Sequence, residues 1–214
     1  MEKTPLATPP PPGPVGSDEE LKWRLALIEE HNKASAEPLH SRGVVFNSVL
    51  AVVRGLGDEH AVERCLQAAG EPRFMDFFNY PFSSLVKLTY SAGWILSDKY
   101  GGFDKAMWQM GSQAAASFYS SAAGRAVLAL GRAGPTKMLD TIINAFQMVA
   151  KGGEMSMLLT GPKSAIIIHK RDFLPRPYME SGLVSTFQAA KVQGMKVQVR
   201  PTGPLDTEYD LSWD

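Results

Sequence analysis

The chain has 214 residues, of which 44% are hydrophobic and 21% are charged, and its 22 basic and 22 acidic side chains cancel. This composition is typical of a globular protein with a buried core, and it lacks the excess of Lys and Arg that nucleic-acid or anionic-lipid binding requires. No apolar run of the sequence reaches the ~18 residues of a membrane span. We therefore expect no nucleic-acid partner and no membrane span.

The N-terminal segment, MEKTPLATPPPPGPVG, has neither an apolar stretch nor a basic start, so it lacks the pattern of a signal peptide. Its proline run can form polyproline II but cannot build a core. We predict a disordered Pro-rich tail over residues 1–16, serving as a flexible leader or as a ligand for a proline-binding domain. A single α+β domain is predicted over residues 17–214.

Helical patterns fill the chain from residue 17 to about residue 150. Ser17 and Glu20 form a capping box before the first helix, Asp58 is placed to cap another, and Gly70 to end it. Cys65 is the only cysteine, so neither an intrachain disulfide nor a thiolate metal cluster can form. Its position on the apolar side of its helix predicts a small buried residue, and the lack of disulfides favours the cytoplasm.

The central segment DKAMWQMGSQAAASFYSSAAGRAVLALGRAG predicts one long helix or two, and its small residues allow close helix packing. Gly134-Pro135 predicts the start of another helix, because proline suits the first helical position. Gly152-Gly153 predicts its end.

After Gly153 the hydrophobic period changes from 3.6 to 2. The segments EMSMLL and SAIIIHKRDF, joined by a TGPK turn, predict a β-hairpin. A helix follows, and the segments MKVQVRP and EYDLSWD each have one apolar and one polar face, as in an antiparallel sheet covered on one side. The predicted fold class is α+β: about six helices packed on one face of a four-stranded antiparallel sheet, with strand–strand–helix–strand–strand at the C-terminus.

The search for chemical motifs yields no catalytic residue, metal site or cofactor site. The four histidines form no HExxH and no i, i+4 pair, and the sequence contains no GxSxG and no phosphate loop. Alternation places Ala165, Ile167 and His169 on one strand face. The charged ending HKRD then predicts that His169 is a strand-end residue at the sheet margin, in preference to a ligand.

An aromatic and methionine cluster in the central helices is the candidate binding site. Trp108 shares a helical stripe with Gly111, Ala115 and Phe118, so two large rings flank two small residues, an arrangement that leaves room for an apolar pocket. The alternative is an ordinary core with helix–helix contacts. The predicted cavity residues are Tyr90, Trp94, Met107, Trp108, Phe118 and Tyr119.

Several landmarks of the C-terminal half form a recognisable pattern. They are GRAVLAL followed by GP, a strand that closes on a GP turn, a helix that ends in glycine before a short strand, and a final Tyr-x-Leu-x-Trp strand. From about Arg42 to Asp214 the chain resembles a paralogous family of proteins of unknown function expanded in myxobacteria. That family is distantly similar to haem-NO/oxygen-binding, vinyl-reductase-like and TRAPP-type domains.

The resemblance implies a helical layer on a four-stranded antiparallel sheet, with a ligand cavity between them. Relatives use this cavity for haem or a lipid-like chain, and others use the surface for dimerisation or docking. This sequence departs from the haem-binding pattern, since no histidine lies in 83–150 and YMESG does not match Tyr-x-Ser-x-Arg. It also lacks the cysteine-rich end of metal-binding vinyl-reductase-like members, and Cys65 is not matched to the TRAPP acylation cysteine.

Three functions follow as hypotheses. The first is a non-enzymatic sensory or scaffold domain that binds a small apolar ligand. The second is a protein-interaction module with a filled core, which forms a homodimer or binds a protein partner through small-residue faces at Gly111, Ala115 and Gly124. The third, an enzyme, has the least support because no acid–base or nucleophile set converges.

Overall fold

The computed structural model describes residues 13–120, 122–131 and 134–214, so residues 1–12 of the predicted tail lie outside the described residues. Its helices are α1 Asp18–Ala34, α2 Gly43–Leu56, α3 Glu59–Ala69, α4 Phe82–Tyr100, α5 Phe103–Ser120, α6 Ala122–Gly131, α7 Pro135–Val149 and α8 Arg176–Ala189. Its strands are β1 His40–Arg42, β2 Asn79–Pro81, β3 Ala150–Lys151, β4 Glu154–Gly161, β5 Ser164–Lys170, β6 Lys196–Pro201 and β7 Thr207–Ser212. The central Ala-rich segment, for which one helix or two remained open, forms α5 and α6.

The residues predicted to begin and end the helices do so in the structure. Ser17 Oγ accepts a hydrogen bond from the Glu20 N–H at 3.1 Å, and Asp58 Oδ1 accepts one from the Ala61 N–H at 2.8 Å. Gly70 ends α3 in the left-handed conformation with φ 79°, where a side chain would be strained. Glu20 completes the first cap differently from a capping box, because its Oε2 accepts from the Gly16 N–H at 2.7 Å.

The four-stranded antiparallel sheet has the order β4-β5-β7-β6, and α8 connects β5 to β6. Buried and half-exposed residues alternate along β5 and β7, so one face of each strand packs on the helices. The predicted hairpin and the four-stranded α+β architecture are thus confirmed. A smaller sheet with the order β2-β1-β3 was not predicted.

Two apolar clusters form the interior. The helical core lies among α1 to α5 and includes Phe46, which stacks on Phe74 with ring centroids 4.1 Å apart. The sheet core joins α7 and α8 to the inner face of the sheet and includes Leu139 and Phe187. Cys65 is buried in the helical core, as predicted, and burial raises the pKa of its thiol to about 11.

Arg24, which forms a buried ion pair within α1, also attaches this helix to the segment that follows β5. Arg24 Nη2 lies 2.7 Å from Glu20 Oε1, and Arg24 Nη1 donates to the Asp172 carbonyl at 3.0 Å. Both side chains are buried. The bond to Asp172 joins the first helix to a residue 148 positions later in the sequence.

Candidate functional site

A cavity of about 420 Å³ lies between the central helices and the inner face of the sheet. This volume is within the usual range for small-molecule sites, which is about 300–1,000 Å³. Ile167 and Tyr209, paired across β5 and β7, line its sheet side. The remaining lining residues belong to α2, α5, α6, α7, α8 and β4: Val44, Val45, Ser48, Gly111, Ala114, Ala115, Phe118, Tyr119, Val127, Thr141, Ile142, Phe146, Met155, Tyr178, Met179, Gly182, Leu183 and Thr186.

Small residues shape the cavity where α5 meets α8. A Cβ atom at Gly111 would lie 2.1 Å from the Tyr178 carbonyl oxygen, so only glycine permits this helix approach. The nearby Ala115 and Gly182 also line the cavity, where larger side chains would occupy it. Gly111 is therefore used for packing within the chain, and it is not part of a free dimer surface as the second hypothesis required.

Most hydroxyl groups of the lining are satisfied by neighbouring groups of the protein. Ser48 and Thr141 donate to carbonyls one helical turn earlier, at 2.7 and 2.8 Å. Tyr119 donates to Thr186 Oγ1 at 3.1 Å, and Thr186 donates to the Gly182 carbonyl at 2.8 Å. The surface that these residues present to the cavity is consequently apolar and uncharged.

The tyrosines of the lining are held neutral. Burial raises the pKa of Tyr178 to about 12 and also raises the pKa of Tyr119, despite its bond to Thr186. Burial likewise raises the pKa of Tyr209. At neutral pH each of these side chains is therefore a protonated phenol.

Of the six residues predicted from the sequence to line the cavity, only two do so. Phe118 and Tyr119 line the cavity, whereas Tyr90 and Met107 are fully buried in the helical core. The two tryptophans are partly exposed. Trp94 Nε1 donates to the Gly16 carbonyl at 2.6 Å, so this ring holds the segment before α1.

Sequence reasoning missed the contributions of α7, α8 and the sheet, including Phe146, Leu183 and Tyr209. Their apolar periodicity indicated core positions. No local pattern distinguishes a core residue from one that borders a cavity, because the cavity depends on how distant elements meet.

His169 lies one residue before the end of β5, as predicted, but it does not leave the core. Its side chain is 1% exposed and packs edge-on against Phe146, with ring centroids 5.6 Å apart. His169 Nδ1 lies 3.2 Å from Asp172 Oδ2, a distance that suits an ion pair, although the angle does not suit a hydrogen bond. The sequence missed this pair, because the carboxylate comes from the turn after the strand.

Opposing influences act on the pKa values of the two partners. Burial disfavours the charge of His169, but the carboxylates of Asp172 and Asp206 outweigh burial and raise its pKa. Burial likewise disfavours ionised Asp172, but His169, the Leu174 N–H and Arg24 lower its pKa. The geometry therefore supports a buried, charged structural pair beside the cavity.

The arrangement of helices and sheet is that of an H-NOX-like fold. An H-NOX protein from K. algicida in the Fe(II) unliganded form aligns with a TM-score of 0.63 and 14% identity, over 81% of this chain and 96% of that one. An oxygen-binding H-NOX domain related to soluble guanylate cyclases aligns with a TM-score of 0.61 and 12% identity, over 81% and 95% of the two chains.

At the level of sequence, residues 37–214 match the family model described as "Protein of unknown function (DUF2378)". The chain belongs to this family. No curated protein matches it. The predicted resemblance to haem-NO/oxygen-binding domains is thus confirmed at the level of the fold, whereas myxobacterial origin, TRAPP-type similarity, a dimer and a cytoplasmic location stay predictions.

The described cavity lining does not fit haem, which is named together with the H-NOX family for one matching structure. Haem iron is held by histidine, cysteine or tyrosinate, or by methionine together with histidine. The described lining contains no histidine, cysteine, lysine or arginine, which leaves Met155 and Met179 without a histidine partner and acidic haem substituents without a cation. Its phenols, Tyr119, Tyr178 and Tyr209, have raised pKa values, which opposes tyrosinate formation.

The described residues also include no group of three His, Cys, Asp or Glu side chains that could hold a metal ion. Among the same residues, no helix has the length and apolar character to cross a membrane.

Proposed function

We propose that this domain is a non-enzymatic sensory or scaffold domain that binds a small apolar ligand in the cavity. The observation that carries the proposal is the cavity of about 420 Å³ with its uncharged, largely apolar lining. Ligand sites in proteins are concave, mostly apolar and few, so a cavity of this kind is the first candidate. The H-NOX likeness supports the proposal through the fold, although the lining favours a ligand other than haem.

The cavity is lined by both α5 and α8, so a ligand bound in it would contact both helices. Its lining residues come from α5 and from α8, and α8 connects β5 to β6 in the sheet. A ligand that binds more tightly to one spacing of these elements shifts the population toward that spacing. Ligand binding would in this way change the outer surface of the sheet, and this change would be the sensory output.

The proposal is tested by binding of the fluorescent apolar dye N-phenyl-naphthylamine. Ala115 lines the cavity, so Ala115→Phe should fill part of it and weaken dye binding by about tenfold or more, equivalent to about 1.4 kcal/mol. Ala116, its exposed neighbour on α5, provides the matched control. Ala116→Phe adds the same ring outside the cavity and should leave binding unchanged.

Absence of dye binding to the wild-type protein, or equal loss in the two variants, would contradict ligand binding in the cavity. A thermal melt of each variant shows whether it is folded. The described cavity lining has no His, Cys, Asp, Glu, Lys or Arg, so its Ser, Thr and Tyr hydroxyls have no acid–base partner there, which supports the non-enzymatic part of the proposal.

A second candidate function, self-association, is favoured by an exposed apolar loop between α3 and β2. Phe77 and Phe78 are 88% and 64% exposed, and Met75 is 49% exposed. Clustered exposed aromatic residues are typical of interaction surfaces. If a second copy of the chain covers this loop, light scattering should show a dimer that the paired substitution Phe77→Ser and Phe78→Ser converts to a monomer. A wild-type monomer at all concentrations would contradict it.

A further inference from the structure

We propose that the cavity ligand is an uncharged, mostly hydrocarbon molecule with one hydrogen-bond-accepting oxygen, and that the hydroxyl of Tyr209 binds this oxygen. The inference rests on the proposed function and specifies the chemical class of its ligand. A medium-chain ketone is the simplest member of this class.

Among the described lining residues that the sheet contributes, only Tyr209 carries a hydroxyl group. It lies on the inner face of β7, opposite Ile167 of β5, and is only 2% exposed. Its side chain lines the cavity, and the charged groups of Asp172, Glu180 and Arg176 lie near enough to act on its hydroxyl. That hydroxyl has no hydrogen-bond partner among the described residues.

An unpaired buried hydroxyl is costly, because folding has removed it from water without a replacement bond. Tyr119, another tyrosine of the lining, avoids this cost through its bond to Thr186. For Tyr209, a ligand oxygen in the cavity would supply the missing partner. The interaction would orient the ligand while the apolar walls bind its chain.

The charge of the ligand is restricted by the surroundings of Tyr209. Burial and the carboxylates of Asp172 and Glu180 raise its pKa, while Arg176 lowers it, so the side chain stays a neutral donor. The described lining has no Lys, Arg or His, and the two carboxylates near Tyr209 outnumber Arg176, so a carboxylate ligand would be buried beside net negative charge. A neutral oxygen avoids both the unpaired charge and the repulsion.

The test compares decane, methyl octyl ketone and decanoate, which share a chain of ten carbons, by displacement of N-phenyl-naphthylamine. Wild-type protein should bind the ketone about tenfold more tightly than decane, and decanoate more weakly than the ketone. Tyr209→Phe removes only the oxygen atom and should weaken ketone binding about tenfold while decane binding stays the same. Tyr119→Phe, whose hydroxyl already has a protein partner, should leave this ranking unchanged.

Equal ketone affinity in the wild type and in Tyr209→Phe would overturn the inference, because the hydroxyl would then be satisfied by water. Tighter binding of decanoate than of the ketone by the wild type would also overturn it, without reliance on any variant. In both cases the protein still binds apolar ligands, so the proposed function survives. Failure of the dye to bind at all would instead remove the proposed function together with this inference.

Discussion

The helical core and the cavity beside the sheet core are packed in different ways. In the helical core, Phe46 stacks on Phe74, and Arg24 is bonded to Glu20 and to the Asp172 carbonyl. Beside the sheet, small residues leave a cavity. The difference indicates that one region is built for stability and the other retains binding capacity, since close packing is the default for protein interiors.

The largest expected effect is the loss of the buried ion pair. Arg24→Ala would leave the Glu20 carboxylate and the Asp172 carbonyl buried without their donor. Removal of one partner from a buried pair costs about 3–5 kcal/mol, so urea denaturation should show a loss of that size in the free energy of unfolding.

Arg54→Ala is the matched control for this prediction. Arg54 pairs with Glu59 at 2.7 Å, but both side chains are mostly exposed, so its removal should change stability little. Similar losses in the free energy of unfolding of the two variants would show that the buried ion pair stabilises the protein no more than an exposed one.

The second expected effect compares two leucine truncations. Leu88 of α4 is fully buried in the helical core, so Leu88→Ala should lower the free energy of unfolding by about 3 kcal/mol. Leu183 of α8 borders the cavity and has fewer neighbours on that side, so Leu183→Ala should cost only about 1 kcal/mol. Chemical denaturation of both variants measures the difference, and equal losses would mean that the cavity side is as tightly packed as the helical core.

The sequence was sufficient for features that depend on local patterns. Ser17 and Asp58 indicated their helix starts through side-chain oxygens that cap the free N–H groups, and alternation placed Tyr209 and Leu211 on the buried face of β7. The small sheet could not be predicted, because strands of two or three residues such as Ala150–Lys151 carry no periodicity.

The candidate site was only partly accessible to the same reasoning. Phe118 and Tyr119 were identified from an aromatic cluster on α5, but Tyr90 of α4 belongs to the helical core. A helical pattern shows which residues face inward, and it does not show which distant element faces them. Tyr209 and Phe146 were missed for this reason.

The smallest expected effect is a pH dependence that arises where the two regions meet, at His169 and Asp172. The pKa of His169 is raised above its ordinary value of 6.5, so its contribution to stability is complete below pH 6.5 and is lost as the pH rises through the folded-state pKa. The pKa of Asp172 is lowered below its ordinary value of 3.8, so its contribution is complete above pH 3.8 and is lost as the pH falls through the folded-state pKa. Together the two side chains should stabilise the protein most between pH 3.8 and pH 6.5.

His169→Gln should abolish the decline in melting temperature that the wild type shows as the pH rises above 6.5. His60→Gln, an exposed control, should retain this decline. Identical pH profiles for wild type and His169→Gln would show that the pair makes no charged contribution to stability.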